Sequence, residues 1–409
     1  MNIKQDIRYY FFSFSNFIAA LGGGMILGKG VGIIDQPFLQ GGSILAFFVG
    51  TTLGLFFLQI IPKKISHTIA RSFSILAGIT ALILLYIFKV YSINTKIYDT
   101  PAVIFFSLLS IRFGFWFYSR VLRASLAAGK QQKIAWVELG YYVGMIGGLI
   151  VWTFLGIEIG IASALIIDAC LQFAAGTIDL FVGSSSSAPT KSISVNSSTS
   201  SNLFQSQYLI GSIIFLTIGI QVVIFSLTHH VSVHFTPLLL AFYYLGASIA
   251  AIFCKKFQVY LEWKTNKAIS FAKIFLSSKI NSRGTSFISC GVLSSVCVAI
   301  AILGVIYWQW GFESSVKMKE ILLLALVFTA AFFYEILALA ILDRIGLEER
   351  SLNSQNLLMH AYGFMGISAA ISLWLLSILK NSTVSLFFTL FSCVIFSIIL
   401  TRRKTGSVL

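Results

Sequence analysis

Stretches of about twenty apolar residues, such as FSILAGITALILLYIF from Phe73 to Phe88, recur along the chain and constrain its fold more than any other feature. They show no period-two alternation. In lipid every backbone N–H and C=O must be satisfied internally, so such runs are read as transmembrane helices and not as strands of a barrel. A mean hydropathy of +0.90 with 11% charged residues agrees, because a soluble domain carries about twice that charge. The reading predicts an all-α membrane protein of about twelve spans, near 9–34, 42–61, 71–93, 101–119, 135–155, 157–181, 207–227, 235–254, 285–306, 319–341, 356–378 and 382–400. The basic, apolar N-terminus resembles a signal peptide but has no clean small-residue cleavage site, so an uncleaved first span is expected.

Basic residues set the orientation. With the N-terminus inside, about 22 Lys and Arg fall in cytoplasmic segments and about 6 outside, with Arg112 alone inside a span. Both termini are therefore expected in the cytoplasm of a bacterial inner (plasma) membrane protein. The net charge of +15 becomes a topology signal, and no nucleic-acid partner is needed to explain it. The five cysteines lie in or beside apolar runs without a C-x-x-C pattern, which gives no disulfide frame and no metal site. His229, His230 and His234 lack an accompanying carboxylate or Cys, so no metal is assigned to them, and no cofactor is implied. The absence of G-x-x-x-x-G-K-[ST] argues against direct ATP use.

The chain repeats itself. LGLFFLQIIPKK, Leu53 to Lys64, and LGASIAAIFCKK, Leu245 to Lys256, lie 192 positions apart and close the second and eighth expected spans. A second correspondence, Gly144 and Trp152 with Gly366 and Trp374, has an offset of 222. The extra residues fall in the loop after span eight. A Ser-rich stretch over 183–206 reads as a flexible cytoplasmic linker between a six-helix half at 1–182 and another at 207–409. The insert at about 255–284 interleaves Phe257, Tyr260, Trp263, Phe271 and Phe275 with lysines, the pattern of an amphipathic helix on anionic membrane lipids. A solvated or protein-packed helix is the other reading.

Two six-helix halves, a central linker and basic loops after spans two and eight resemble the major facilitator superfamily. Its loop signature is echoed by Gly54 and Pro62-Lys63-Lys64, its span-four arginine motif by IRFGFW around Arg112, and its span-five motif by GYYVGMIGG through Gly140 and Gly144. Phe117-Tyr118-Ser119, Ala135-Trp136-Val137-Glu138 and Gln355-Asn356 are similar to elements of its lysophospholipid transporter branch. The resemblance implies alternating access around a central cavity lined by helices one, four, seven and ten.

Charges within spans are costly and mark candidate sites. Arg112 and Glu335 would face the cavity from opposite halves as a breakable pair; alternatively Arg112 pairs with Asp168, which has Gln172 one turn later. Tyr334 is the repeat counterpart of Arg112. Asn16, Tyr141 and Tyr362 are further substrate or coupling candidates, and Glu138, His360, Lys63, Lys64, Lys255 and Lys256 are gating candidates. The expected function is a secondary transporter of a small organic solute, driven by protons if Asp168 or Glu335 titrates. A lipid or lysophospholipid flippase and a non-transporting scaffold are the alternatives.

Overall fold

The computed structural model describes residues 3–32, 46, 49–50, 67–91, 100–126, 131–155, 160–183, 220, 235–275, 299–301, 304 and 316–348. Among these residues lie seven long helices: α1 (Ile3–Gly32), α2 (His67–Tyr91), α3 (Thr100–Leu126), α4 (Gln131–Leu155), α5 (Ile161–Gly183), α6 (Thr236–Phe275) and α7 (Val316–Glu348). Six of them contain stretches long and apolar enough to cross a membrane, for example Thr68–Val90 and Met318–Leu339. The expected spans two, seven, nine, eleven and twelve and the Ser-rich linker lie outside the described helices, as do Lys63, Lys64, His360, Tyr362 and the three clustered histidines.

α2 shows how such helices are held. Leu76, Ile79, Ile83, Tyr86 and Val90 recur at helical spacing and are exposed, an apolar stripe suited to lipid. Ala70, Ser74, Ala77, Ala81 and Leu84 are buried on the opposite face. Lipid is as apolar as these side chains, so helices gain little from hydrophobic sorting and must approach closely to gain dispersion contact.

Among the described helices, α1 and α4 approach each other closely. Gly140, Gly144 and Gly148, each one turn apart, lie against the backbone carbonyls of Ser13, Phe17 and Leu21, also four residues apart. A Cβ at any of the three glycines would collide with those carbonyl oxygens, and one at Gly24 would meet the Met145 carbonyl at 2.7 Å. The constant offset makes α1 and α4 a parallel pair in fixed register. GYYVGMIGG thus works here as a small-xxx-small packing stripe. The Ser13 hydroxyl adds a hydrogen bond to the Trp136 carbonyl at 2.8 Å.

α2 packs along both α3 and α5, α1 along both α4 and α5, and α6 along α7, while α4 is the principal bridge to α6. A first group of five helices therefore meets the α6–α7 pair mainly through one face of α4.

Three expected boundaries change. α3 does not stop at Ser119 but continues through Arg120 and Arg123 to Leu126. α7 runs on through Asp343 and Arg344 to Glu348. α6 is continuous from the span through Lys255 and Lys256 to Phe275. At 40 residues it is about 60 Å long, twice the hydrocarbon thickness. The insert therefore begins as an extension of the span, and its Phe257 packs against Phe332 and Phe333 of α7, with ring centroids 5.5 Å and 6.1 Å away.

Candidate functional site

α3 carries three buried arginines, each matched to an acid on a neighbouring helix. Arg112 donates from Nε to Asp168 Oδ2 at 2.9 Å and from Nη2 to Oδ1, a bidentate pair between α3 and α5. Eleven residues later in both helices, Arg123 donates to both Asp179 oxygens, with Nη2 to Oδ2 at 2.8 Å. Eleven residues make three helical turns, so the two pairs lie on the same face and about 16 Å apart. All four side chains are buried.

The Arg123 pair is surrounded by partners. Its Nη1 donates to Asn16 Oδ1 at 2.9 Å and to Ser119 Oγ at 3.3 Å, and its Nη2 donates to Ser74 Oγ at 2.5 Å. Asn16 in turn donates to the Val137 carbonyl at 3.3 Å, and Ser119 donates to the Trp116 carbonyl at 2.8 Å. Five helices, α1 through α5, are tied at this level. Desolvating two charges is expensive, and a bidentate pair with every remaining donor engaged is the arrangement that offsets the cost.

The Arg112 pair is less complete. Gln172 donates to Asp168 Oδ1 at 3.2 Å and to the Ala19 carbonyl at 2.9 Å. Gly22 of α1 lies directly against Asp168, with no room for a Cβ. The guanidinium sits 4.9 Å from the Phe113 ring centre and 5.4 Å from that of Trp116. Arg112 Nη1 and Gln172 Oε1 are buried without a hydrogen-bond partner among the described residues.

The third arginine stands where the first five helices meet α6 and α7. Arg120 donates through Nε and Nη2 to Glu138 Oε2 and lies 3.4 Å over the Tyr141 ring. Tyr141 shares a hydrogen bond with Tyr244 of α6 at 3.3 Å, and the Tyr142 hydroxyl donates to Glu335 of α7. Tyr141, Tyr142, Tyr243 and Tyr244 form a chain of ring contacts with centroids 5.3 to 6.3 Å apart. Among the described residues these three ion pairs lie within the first five helices, and the Tyr141 and Tyr142 hydroxyls reach across to α6 and α7.

Of the two partners open to Arg112, the structure has one. Arg112 has Asp168, not Glu335, as its carboxylate partner. Glu138, a gating candidate, is fully buried and ion-paired with Arg120. Asn16 belongs to the Arg123 network. Tyr334 is buried beside Glu335, Lys256 is exposed, and Lys255 lies on the continuous α6. Arg120, Arg123 and Asp179 are the members of these networks that sequence reasoning does not single out, since hydropathy alone places the two arginines in the loop after span four. The signal was present: Arg112 and Arg123 have the same separation as Asp168 and Asp179.

No protein-family model matches the chain, and no curated protein matches its sequence. Solved structures do match its shape over nearly the whole length. A bacterial homologue of the iron transporter ferroportin, outward-facing with soaked iron, superposes with a TM-score of 0.63 at 10% identity, covering 99% of this chain and 100% of the other. The major facilitator superfamily transporter FucP, in its outward conformation, gives 0.58 at 11% identity over 98% and 99%. A mutant of the nucleoside transporter NupG gives 0.56 at 14% identity over 100% of both chains. Sequence identities this low speak to architecture alone, and the architecture they establish is the major facilitator fold.

Proposed function

We propose that the protein is a secondary transporter that moves a small organic solute across the membrane by alternating access. The observation that carries this reading is the contrast in chemistry between the two kinds of contact. Within the first five helices, buried bidentate ion pairs resist separation, because parting them strands charges in a low-dielectric interior. Toward α6 and α7 the hydrogen bonds seen among the described residues come from tyrosine hydroxyls and one carboxyl, each worth about 0.5–3 kcal/mol. A rigid body meeting its partner through a weak, polar joint is what a rocking mechanism needs.

On this reading residues 1–182 and 207–409 are the two moving halves, and 183–206 links them. The basic-residue bias makes the end where α1 begins cytoplasmic, so the tyrosine joint is the cytoplasmic gate in its closed position. Glu138 acts there by holding Arg120 over Tyr141. Glu335, which loses the Tyr142 hydroxyl when the gate opens, is the group we assign to proton coupling. Lys256, exposed where α6 leaves the span, is on this reading the lysine nearest the anionic headgroups of the cytoplasmic face. The named cargoes of the structural neighbours, iron and nucleosides, support transport of small solutes in general.

The test places spin labels at Val143 of α4 and Ile252 of α6, both exposed, in the reconstituted protein. Two distance populations are expected, with a ratio that responds to solutes and to pH. A single distance that stays fixed under a broad solute panel between pH 5 and 8 would sink the proposal.

A further inference from the structure

The two stacked ion pairs on α3 and α5 provide an internal comparison. They share helices, face, residue types and bidentate geometry, yet one is saturated and the other is not. In the Arg123 pair, Nη1 finds Ser119 one turn earlier on its own helix and Asn16 on α1. At the corresponding position before Arg112 stands Leu108, and α1 presents Gly22 and Gly23. Neither can accept a side-chain hydrogen bond. The neighbouring Phe113 and Trp116 rings offer a diffuse attraction to the cation but no acceptor lone pair. Gln172 likewise spends its amide N–H groups on Asp168 and Ala19 and leaves its carbonyl oxygen unused. A buried guanidinium N–H without a partner is rare enough to require a cause.

Resting on the transport reading, we propose that Arg112 Nη1 and Gln172 Oε1 are donor and acceptor for the transported solute, and that this solute is uncharged and bears hydroxyl, amide or imide groups. The charge argument is direct. Asp168 already neutralises Arg112, so a solute anion would leave net negative charge in the bundle and a cation net positive charge. An uncharged solute with both an accepting oxygen and a donating O–H or N–H satisfies both orphaned atoms and leaves the charge unchanged. The same argument disfavours an anionic lysolipid and a metal cation.

The experiment measures uptake of radiolabelled fucose, uridine and N-acetylglucosamine, with ferrous iron and the anionic lysophosphatidylglycerol as charged probes, in proteoliposomes of the full chain. The variants are Arg112→Lys, which keeps a cation for Asp168 but removes Nη1, and Ser119→Ala, which removes a partner only from the Arg123 pair. Uptake of an uncharged probe is expected, with half-saturation raised about tenfold or more in Arg112→Lys, little change in maximal rate, and no change in half-saturation in Ser119→Ala. Half-saturation unchanged in Arg112→Lys would mean that Nη1 holds only a buried water, and the proposal falls. Uptake confined to the charged probes would overturn the substrate class while leaving transport standing. No uptake of any probe, together with a fixed spin-label distance, would remove the transport reading itself.

Discussion

The Arg112 and Arg123 pairs are built by the same two helices from the same residue types, about 16 Å apart, and they differ in what completes them. Around Arg123 the side chains of Asn16, Ser74 and Ser119 take up the guanidinium donors left over from Asp179. Around Arg112 the matching places hold Leu108 and glycines, and a donor is left over. The difference teaches that a charge buried in a membrane helix is not by itself a functional signal. Completeness of the surrounding hydrogen bonds separates a structural tie from a site with work remaining.

The strongest way to break the comparison is Arg123→Ala. It leaves Asp179 as an uncompensated buried charge and strips partners from Asn16 and Ser74 at once. We expect a loss of about 3–5 kcal/mol, seen as low yield of monodisperse protein and a sharply reduced melting temperature in detergent. A melting temperature within a degree or two of wild type would refute the assignment of this pair as the tie among the five helices.

Replacing each arginine by lysine sharpens the contrast. Lysine restores the charge in both places but offers three donors from a single point, which cannot reach Asp179, Asn16, Ser119 and Ser74 together. Arg123→Lys should cost about 1.5–3 kcal/mol, whereas Arg112→Lys, losing a donor that has no protein partner, should cost less than about 1 kcal/mol. Equal losses in thermal melts would show that the two surroundings are equivalent after all.

The joint to α6 and α7 gives a third, intermediate case. Tyr142→Phe removes the hydroxyl that Glu335 accepts from and keeps the ring packing on Tyr141 and Tyr244. It should weaken closure by about 1–2 kcal/mol, enough to change the ratio of the two spin-label distances severalfold while the melting temperature moves little. An unaltered distance distribution would take Tyr142 out of the gate.

Much of this architecture was legible in the sequence, and the site was not. Apolar runs such as Phe73–Phe88 specify helices because lipid permits little else, and GYYVGMIGG already contains the spacing that fixes α4 on α1. Arg120 and Arg123 read as loop charges in the sequence, because local hydropathy treats every arginine as a solvent marker. Whether such a charge is paired depends on Glu138 and Asp179, distant in sequence and brought near only by packing. The pairing of Glu335 with Tyr142 instead of Arg112 depends on helix rotation, which apolar spans of nearly uniform composition do not encode. The equal eleven-residue intervals were the one local trace of the stacked pairs.

The smallest expected effect is a coupling energy. If the two pairs are independent ties, the stability losses of Arg112→Lys and Arg123→Lys should add, because sites farther apart than about 10 Å without shared partners couple by no more than about 0.3–0.5 kcal/mol. Asp168 and Gln172 serve only one pair, and Asp179, Asn16 and Ser74 only the other. Their common elements are the lengths of α3 and α5 between them. Measured as a double-mutant cycle by thermal or denaturant unfolding, a sum within that margin would mean that the Arg112 pair can change its hydrogen-bonding state without loosening the tie at Arg123. That independence is what a solute-contacting group inside a rigid half requires. A coupling of about 1 kcal/mol or more would instead make α3 a transmitter between the two levels, and the incomplete pair and the complete one would have to be treated as a single unit.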